Sequence, residues 1–497
     1  TIIFLNGKTD PFQSSSLGYF SGKWNTQAQQ TMDSYIGSAN YDIGHLLMGY
    51  ATGGNAGCIG CVCNAGNKGA GATGFKDDLT SDPFIVDFWD HEIGHQFGAN
   101  HTFDYNYEGS IAQMEPGSGS TIMGYAGTTG ATDLQPHSDP YFHAVSIQQI
   151  DTYITTGTGS TCGVLKTTKD HIPTAKAGSN YTIPASTPFA LNGNSTDKDA
   201  LDSLTYCWEQ YDVFQNNGTS NKYPNANSTT GPVFRSLTPT ISKQRNFPAL
   251  SSILDGTNGN EWEVLPAVSR TLHFRLTVRD NYPGKGSTAS DDMTVTVDGN
   301  SGPFNVTYPN TAVNITGGKK KTITWNVANT NLAPVNCANV SILLSTDGGL
   351  TFPTVLAGIK PNNGSAKILI PAINTTHARI KVVGKGNIFF DVSDADFTIT
   401  SSGSFAADDA SANTIAKTIN VHPNPAKDFT NVVFNASANK CDLELSSSAG
   451  KIVYRKSLNN ISKGNTERIP LTGFSKGVYM LKITTDTGTQ TQQIVVY

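Results

Sequence analysis

The chain has 497 residues, 37% hydrophobic and 15% charged, with 34 Lys and Arg against 39 Asp and Glu for a formal net charge of −5. A length of this order implies three or four domains, each able to bury its own core. The acidic balance, with Lys319-Lys320-Lys321 as the one basic cluster, argues against a nucleic-acid surface, and no apolar run approaches the roughly 18 residues of a membrane span.

From the start of the chain, Thr1 to Leu5 reads as a strand, Trp24 to Ile36 as a polar-rich helix and Tyr41 to Met48 as a second strand. Within it His45 sits among apolar neighbours, the setting of a satisfied core histidine. The glycine-rich run from Gly53 to Gly74 lacks phosphate-loop spacing and reads as irregular backbone beside a cleft. Cys58, Cys61 and Cys63 cluster here, and Cys162 closes the same region. We expect Cys63 to pair with Cys162, and Cys58 and Cys61 to form a local disulfide or remain thiols. Cys207, Cys337 and Cys441 fall one to each later segment, as small buried residues.

A helix should follow, with Asp82 as cap, Pro83 in the first helical position and Phe84, Ile85, Phe88 and Trp89 as its buried face. Its last turn carries the most informative stretch, Asp90 to His101. His91 and His95, four apart on a helix, project from one face about 6 Å from each other and can share a metal ion. Gly98 can take the positive φ that ends the helix and lets His101 fold back as third ligand. Three neutral imidazoles with one position left to water describe a catalytic Zn2+ site, whereas structural sites are usually closed by four protein ligands. Glu92, about 100° round the helix from His91, is placed to touch a water held by the metal, which is a general base's position. Downstream, Ser146 to Gln149 reads as a capping box with Val145 and Ile150 as a staple, giving a helix from Ile147 to Ile154.

His91-Glu92-x-x-His95-x-x-Gly98-x-x-His101 is the metzincin signature. Thr121 to Tyr125 resembles that family's Met-turn, which implies Met123 as an apolar floor beneath the histidines and Tyr125 as an oxyanion-stabilising hydroxyl. With Tyr41 to His45, Cys63 to Gly74 and Ser138 to His143, these motifs look like the reprolysin-like metzincins of Bacteroidota. The resemblance covers most of residues 1–164 and implies an α/β zinc-peptidase catalytic domain acting on proteins or peptides. Such domains begin with further strand and helix, so the resemblance implies an N-terminally incomplete one here. Its side-chain pocket should be walled by the residues after Met123 and the segment around Tyr141. Gly124, Ala126 and Gly127 offer no ion there, so little charge selectivity is expected.

Residues 171–299 then alternate as strands, with Leu204, Tyr206 and Trp208, with Leu272 to Val278, and with Met293, Val295 and Val297 facing inward. The segment looks like a PKD- or cadherin-like β-sandwich. Asp197, Asp199 and Asp202 share one loop, with Asp280, Asp291 and Asp292 near a strand end; such clustered carboxylates can hold Ca2+ or simply be solvated. Residues 302–400 read as a second, Ig- or fibronectin-III-like sandwich, with Ile323, Trp325 and Val327 and with Val340, Ile342 and Leu344 as inward sets. In it Ser345 to Phe352 resembles an Asp-box hairpin.

Residues 401–413, rich in Ser, Ala and Asp, read as a linker. In residues 414–497, Val421 to Ala426, Ser448 to Lys451, Lys476 to Ile483 and Gln493 to Tyr497 are similar to the C-terminal sorting domain of type IX secretion. Pro423 and Pro425 would stiffen an edge, and Gly450 and Gly477 would punctuate hairpins. The resemblance implies a partner, the type IX outer-membrane translocon, and a secreted or cell-surface location in a Gram-negative bacterium. The expected architecture is thus multidomain, an α/β catalytic domain followed by all-β sandwiches, and the expected activity that of a zinc endopeptidase. The rival reading is a secreted adhesin or cargo protein whose protease domain is incidental or inactive; the intact Glu92 and three histidines count against inactivity.

Overall fold

The computed structural model describes residues 23–49, 52–164, 166–168, 170–199, 202–215, 223–401, 419–422, 426–447, 452–474, 477–486 and 488–496. The strand expected at Thr1 to Leu5, the linker after Ser401, the pair Pro423 and Pro425, and Gly450 lie outside them. The chain divides into two compact units, residues 1–401 and 402–497. It is a multidomain protein, with short helices and a small sheet at its N-terminal end and β-sheets beyond.

The N-terminal region contains helix α1 (Trp24–Tyr35) and three strands, β1 (His45–Met48), β2 (Gly53–Asn55) and β3 (Gly71–Gly74). β3 is central, parallel to β1 and antiparallel to β2. Two expectations are corrected. The strand begins at His45 rather than Tyr41, because Tyr41 is fastened to α1 through Asp33 and Gln29 while the amide of Gly44 bonds to Lys68. The glycine-rich run is not wholly irregular: its two ends are β2 and β3. Gly71 is required at its position, since a Cβ there would lie 2.5 Å from the His45 ring and 2.6 Å from Gln96.

The helix toward the histidines starts with Ser81, not Asp82, as cap: the Ser81 hydroxyl accepts from the Phe84 amide at 3.4 Å and its carbonyl from the Ile85 amide at 3.1 Å. Phe84–Trp89 is π-helical and passes into α2 (Asp90–Gln96). The wider turn shifts the phase that a 3.6-residue period assumes. Phe84 alone of the four expected apolar residues is fully buried, and Val86, which was not among them, packs against the cluster of Ala99, Ile122 and Met123. Helix α3 runs over Ala144–Thr155, three residues earlier than expected. No capping box forms; the His143 ring accepts from the Val145 amide at 3.1 Å, and Ser146 is buried inside the helix.

Beyond Gly163 the two expected sandwiches share one apolar core, which runs from Ala177 to Ile399. One sheet orders strands Tyr181–Pro184, Thr288–Asp298, Arg270–Arg279 and Thr205–Gln210; the largest of the next orders Asn314–Gly317, Phe397–Ser401, Thr375–Gly384, Asn339–Ser345 and Thr354–Pro361. The Ser345 and Asp347 side chains do close a hairpin turn on Gly349 and Thr351. The C-terminal unit has a core of its own between a three-stranded sheet and a four-stranded one. Cys207, Cys337 and Cys441 are buried thiols.

Candidate metal centre

Helix α2 brings His91 and His95 onto one face, with ring centroids 4.8 Å apart. Gly98 has φ +97 and turns the chain, so that the His101 ring comes within 4.6 Å of that of His95 and 5.2 Å of that of His91. One nitrogen of each of the three lies within 4.8 Å of the others.

The tautomers follow from what the other nitrogens touch. Nδ1 of His91 is 2.7 Å from the carbonyl of Ile122, Nδ1 of His95 is 2.7 Å from that of Ala99, and Nδ1 of His101 is 2.9 Å from the Glu108 carboxylate. Carbonyls and carboxylates only accept, so each Nδ1 carries the hydrogen and each neutral ring presents the Nε2 lone pair. Nε2 of His95 and Nε2 of His101 face each other at 3.0 Å, which is repulsive unless a cation joins them. Burial holds all three pKa values below the ordinary imidazole range, that of His95 at about 4, with Glu108 opposing the shift at His101. Three neutral imidazoles, each fixed by an outer acceptor, suit Zn2+.

Glu92 does not join the triad. It is buried against β2, where a Cβ on Gly54 would lie 2.3 Å from its Oε1, and it accepts from the backbone of Ala56. Burial pushes its carboxyl up to about 7. Tyr125 stands beside the triad, its ring 4.5 Å from that of His101 and 5.4 Å from that of His91. Burial, with Glu108 and Glu92 nearby, pushes its hydroxyl up to about 12, so it remains a hydrogen-bond donor. Met123 is fully buried beneath α2; a Cβ on Gly94 would lie 2.5 Å from its Sδ.

Two carboxylates that the motifs do not reveal hold this arrangement. Glu108 orients His101. Glu115, 1% exposed, accepts from the hydroxyls of Thr102 and Thr121 and from the amide of Ser120, joining the residue after His101 to the turn that carries Met123. Nothing in the spacing singles either out. The bond from His95 to Ala99 was findable, since a chain reversing at Gly98 returns that carbonyl to the helix end.

Other candidates fare differently. His45 is half-buried and satisfied, its two ring nitrogens each 2.8 Å from a side-chain oxygen, of Gln96 and of Thr73, and it lies outside the triad. Cys63 is bonded to Cys162 and Cys58 to Cys61. Of the acidic cluster, Asp291 accepts from the amide of Ala177 and Asp292 pairs with Arg275, and neither belongs to the groups of converging carboxylates among the described residues. Asp170, a residue the sequence did not suggest, joins Asp197, Asp199, Asp202 and Asp280 in two overlapping groups. Asp199 is engaged by His171 and Asp280 by Ser287 and Tyr282, and carboxylates in a loop do not by themselves support Ca2+.

Residues 2–153 match the family model of reprolysin-like M12B metallo-peptidases, and residues 420–497 that of the secretion system C-terminal sorting domain. A tail of that kind marks export across the outer membrane to a secreted or cell-surface location. No curated protein matches the chain. Among solved structures, dimeric latent PorU from Porphyromonas gingivalis is similar over 64% of this chain and 32% of its own, at 12% identity and TM-score 0.15. The FN1-FN3 domains of chicken CNTN1 are similar over 65% and 99%, at 9% and 0.13, and Drosophila N-cadherin EC1-4 over 65% and 75%, at 9% and 0.16. The chain spans about a third of the PorU chain, and likenesses this slight carry no argument.

Proposed function

We propose, from the match of residues 2–153 to the reprolysin-like metallo-peptidases, that this exported chain is a zinc-dependent endopeptidase. The observation that carries the reading is the meeting of three Nε2 lone pairs beside a carboxylate that stays out of the triad. Zn2+ held by His91, His95 and His101 would supply Lewis acidity, lowering the pKa of water to about 7 and polarising a peptide carbonyl.

The protein's own groups do the rest. Glu92, as general base, accepts a proton from the attacking water on its carboxylate and delivers it to the nitrogen of the departing amine. A carboxyl raised toward neutrality by burial is suited to both halves of that transfer. The Tyr125 hydroxyl donates to the oxygen of the tetrahedral intermediate. β2, at the edge of its three-stranded sheet and against Glu92, offers main-chain groups to an extended peptide. The residues after Met123 and the segment around Tyr141 form a wall of little charge selectivity, and a peptide-library digest showing a sharp preference for Arg or Asp would contradict this. The C-terminal unit is the part read by the type IX translocon.

Hydrolysis of a denatured protein, with and without a zinc chelator, tests the mechanism beside Glu92→Ala. The variant should lose at least about a thousandfold in rate while still binding zinc, because general-base assistance contributes 10²–10⁴. Unchanged turnover rejects the role given to Glu92.

A further inference from the structure

Strand Thr205–Gln210 is unusual for a sandwich surface, since every residue from Tyr206 to Gln210 is buried and neither face meets water. Tyr206 and Trp208 enter the sandwich core, while Cys207 and Glu209 point the other way, toward the N-terminal region. Glu209 is 0% exposed, and a buried carboxylate is tolerated only when its oxygens are satisfied. One oxygen accepts from the amide of Ala144 at 2.9 Å, at the start of α3, where the helix dipole favours an anion. The other accepts from the Ser236 hydroxyl at 2.6 Å.

From Ser236 the connections continue to the metal centre. The Tyr141 hydroxyl donates to Ser236 Oγ at 2.7 Å, the Tyr141 carbonyl accepts from the Ile122 amide at 3.1 Å, and the Ile122 carbonyl accepts from His91 Nδ1 at 2.7 Å. A second grip runs beside the first. Arg279 donates to the Phe142 carbonyl at 3.0 Å, and the Phe142 ring lies under Gly94 of α2, where an added Cβ would come within 3.0 Å of it. The segment from Tyr141 to Ala144 is therefore held by the sandwich on one side and pressed against the ligand-bearing helix on the other.

We infer that the β-sandwich of residues 171–299 is a working part of the metal centre, with Glu209 and Ser236 as positioning residues that set His91 through Tyr141 and Ile122. The inference rests on the metallopeptidase reading. It makes the sandwich a support for the centre and the adjoining cleft wall rather than a spacer. Outer partners of metal-bound histidines typically contribute 10–100-fold in metal affinity, and a partner further out should fall at the lower end of that range.

The test uses the full chain in zinc competition against a chromophoric chelator, well below the melting temperature of every variant. Glu209→Gln and Tyr141→Phe should each weaken zinc binding about tenfold, with a double variant no worse than about twice the single ones, because both act on one chain of contacts. Ser236→Ala, which removes a single hydroxyl, decides the matter if Glu209→Gln does not fold. Ile183→Ala, which loosens the sandwich core on the strand at the opposite edge of the sheet from Thr205–Gln210, should leave zinc affinity within about twofold of the parent. Unchanged affinity in the contact variants, or an equal loss in Ile183→Ala, overturns the inference. If the parent chain binds no zinc, the metallopeptidase reading fails instead. Hydrogen exchange at the Ile122 amide then decides: faster exchange in Tyr141→Phe upholds the positioning and unchanged exchange overturns it.

Discussion

The region from Lys23 to Val164 and the sandwiches from Asp170 to Ser401 are neighbours in one compact unit but are held together by different means. The sandwiches bury a continuous apolar core in which Phe189, Phe234, Phe247 and Phe274 touch ring to ring. Among its described residues the N-terminal region has small apolar clusters, such as Ala99, Ile122 and Met123. It relies on buried polar groups, among them Glu92, Glu115, Gln96 and Gln113, and on two disulfides. A region that must aim three imidazoles at one point needs directional contacts, and hydrogen bonds supply direction. Apolar burial is stronger in sum but non-directional, and it suffices where no side chain has to be placed to within a fraction of an ångström.

That contrast can be broken by substitution. In the sandwich, Phe274→Ala should cost about 4 kcal/mol of unfolding free energy in urea, the usual range for an aromatic removed from a close-packed core. A loss below about 1 kcal/mol would mean that the core is looser than its contacts indicate. In the N-terminal region, opening the bond between Cys63 and Cys162, 99 residues apart, by the double change to Ser should cost about 3 kcal/mol. The loss should be confined to that region, as limited proteolysis with mass mapping would show; cleavage sites appearing equally among the sandwich strands would refute the division drawn above.

On the proposed mechanism, Tyr125→Phe removes one hydroxyl from the candidate metal centre and should lower kcat about a hundredfold with KM and melting temperature nearly unchanged. A rise in KM alone would reassign Tyr125 to substrate binding. Smallest is a pH effect in the sandwich, where burial pushes the Asp391 carboxyl up to about 7 although the Val306 amide donates to it at 2.7 Å. The folded state thus keeps a proton that the unfolded chain releases near its ordinary, lower pKa. Stability contributed by that proton is full below the unfolded value and is lost as pH rises through about 7. Asp391→Asn should flatten this decline, gaining roughly 2 kcal/mol relative to the parent at pH 8 compared with pH 5. Parallel pH profiles for the two proteins would remove Asp391 as the cause.

The histidine triad was legible because it is local: eleven residues, one helical turn and one glycine suffice to bring His91, His95 and His101 together. Strands with strict alternation, such as Arg270–Arg279 and Asn339–Ser345, were legible for the same reason. Helix starts were less so. Ser81 displaced Asp82 as cap and His143 displaced a plausible capping box, because a cap is chosen by which side chain the surrounding fold leaves free to turn back.

By itself the sequence determined which atoms could ligate a metal and which residue types would form sheets, since each of these depends on neighbours within a turn or a strand, while the place of the sorting domain came from its resemblance to a family. Tertiary structure alone decided which nitrogen of each ring faces inward, for the deciding acceptors on His91 and His101 come from the Met-turn and from Glu108. It also decided that Glu209 meets Ala144 and Ser236, far from it in sequence. A hydrogen bond requires two groups to meet within about 3 Å, and for residues tens of positions apart only the folded path of the backbone brings that about.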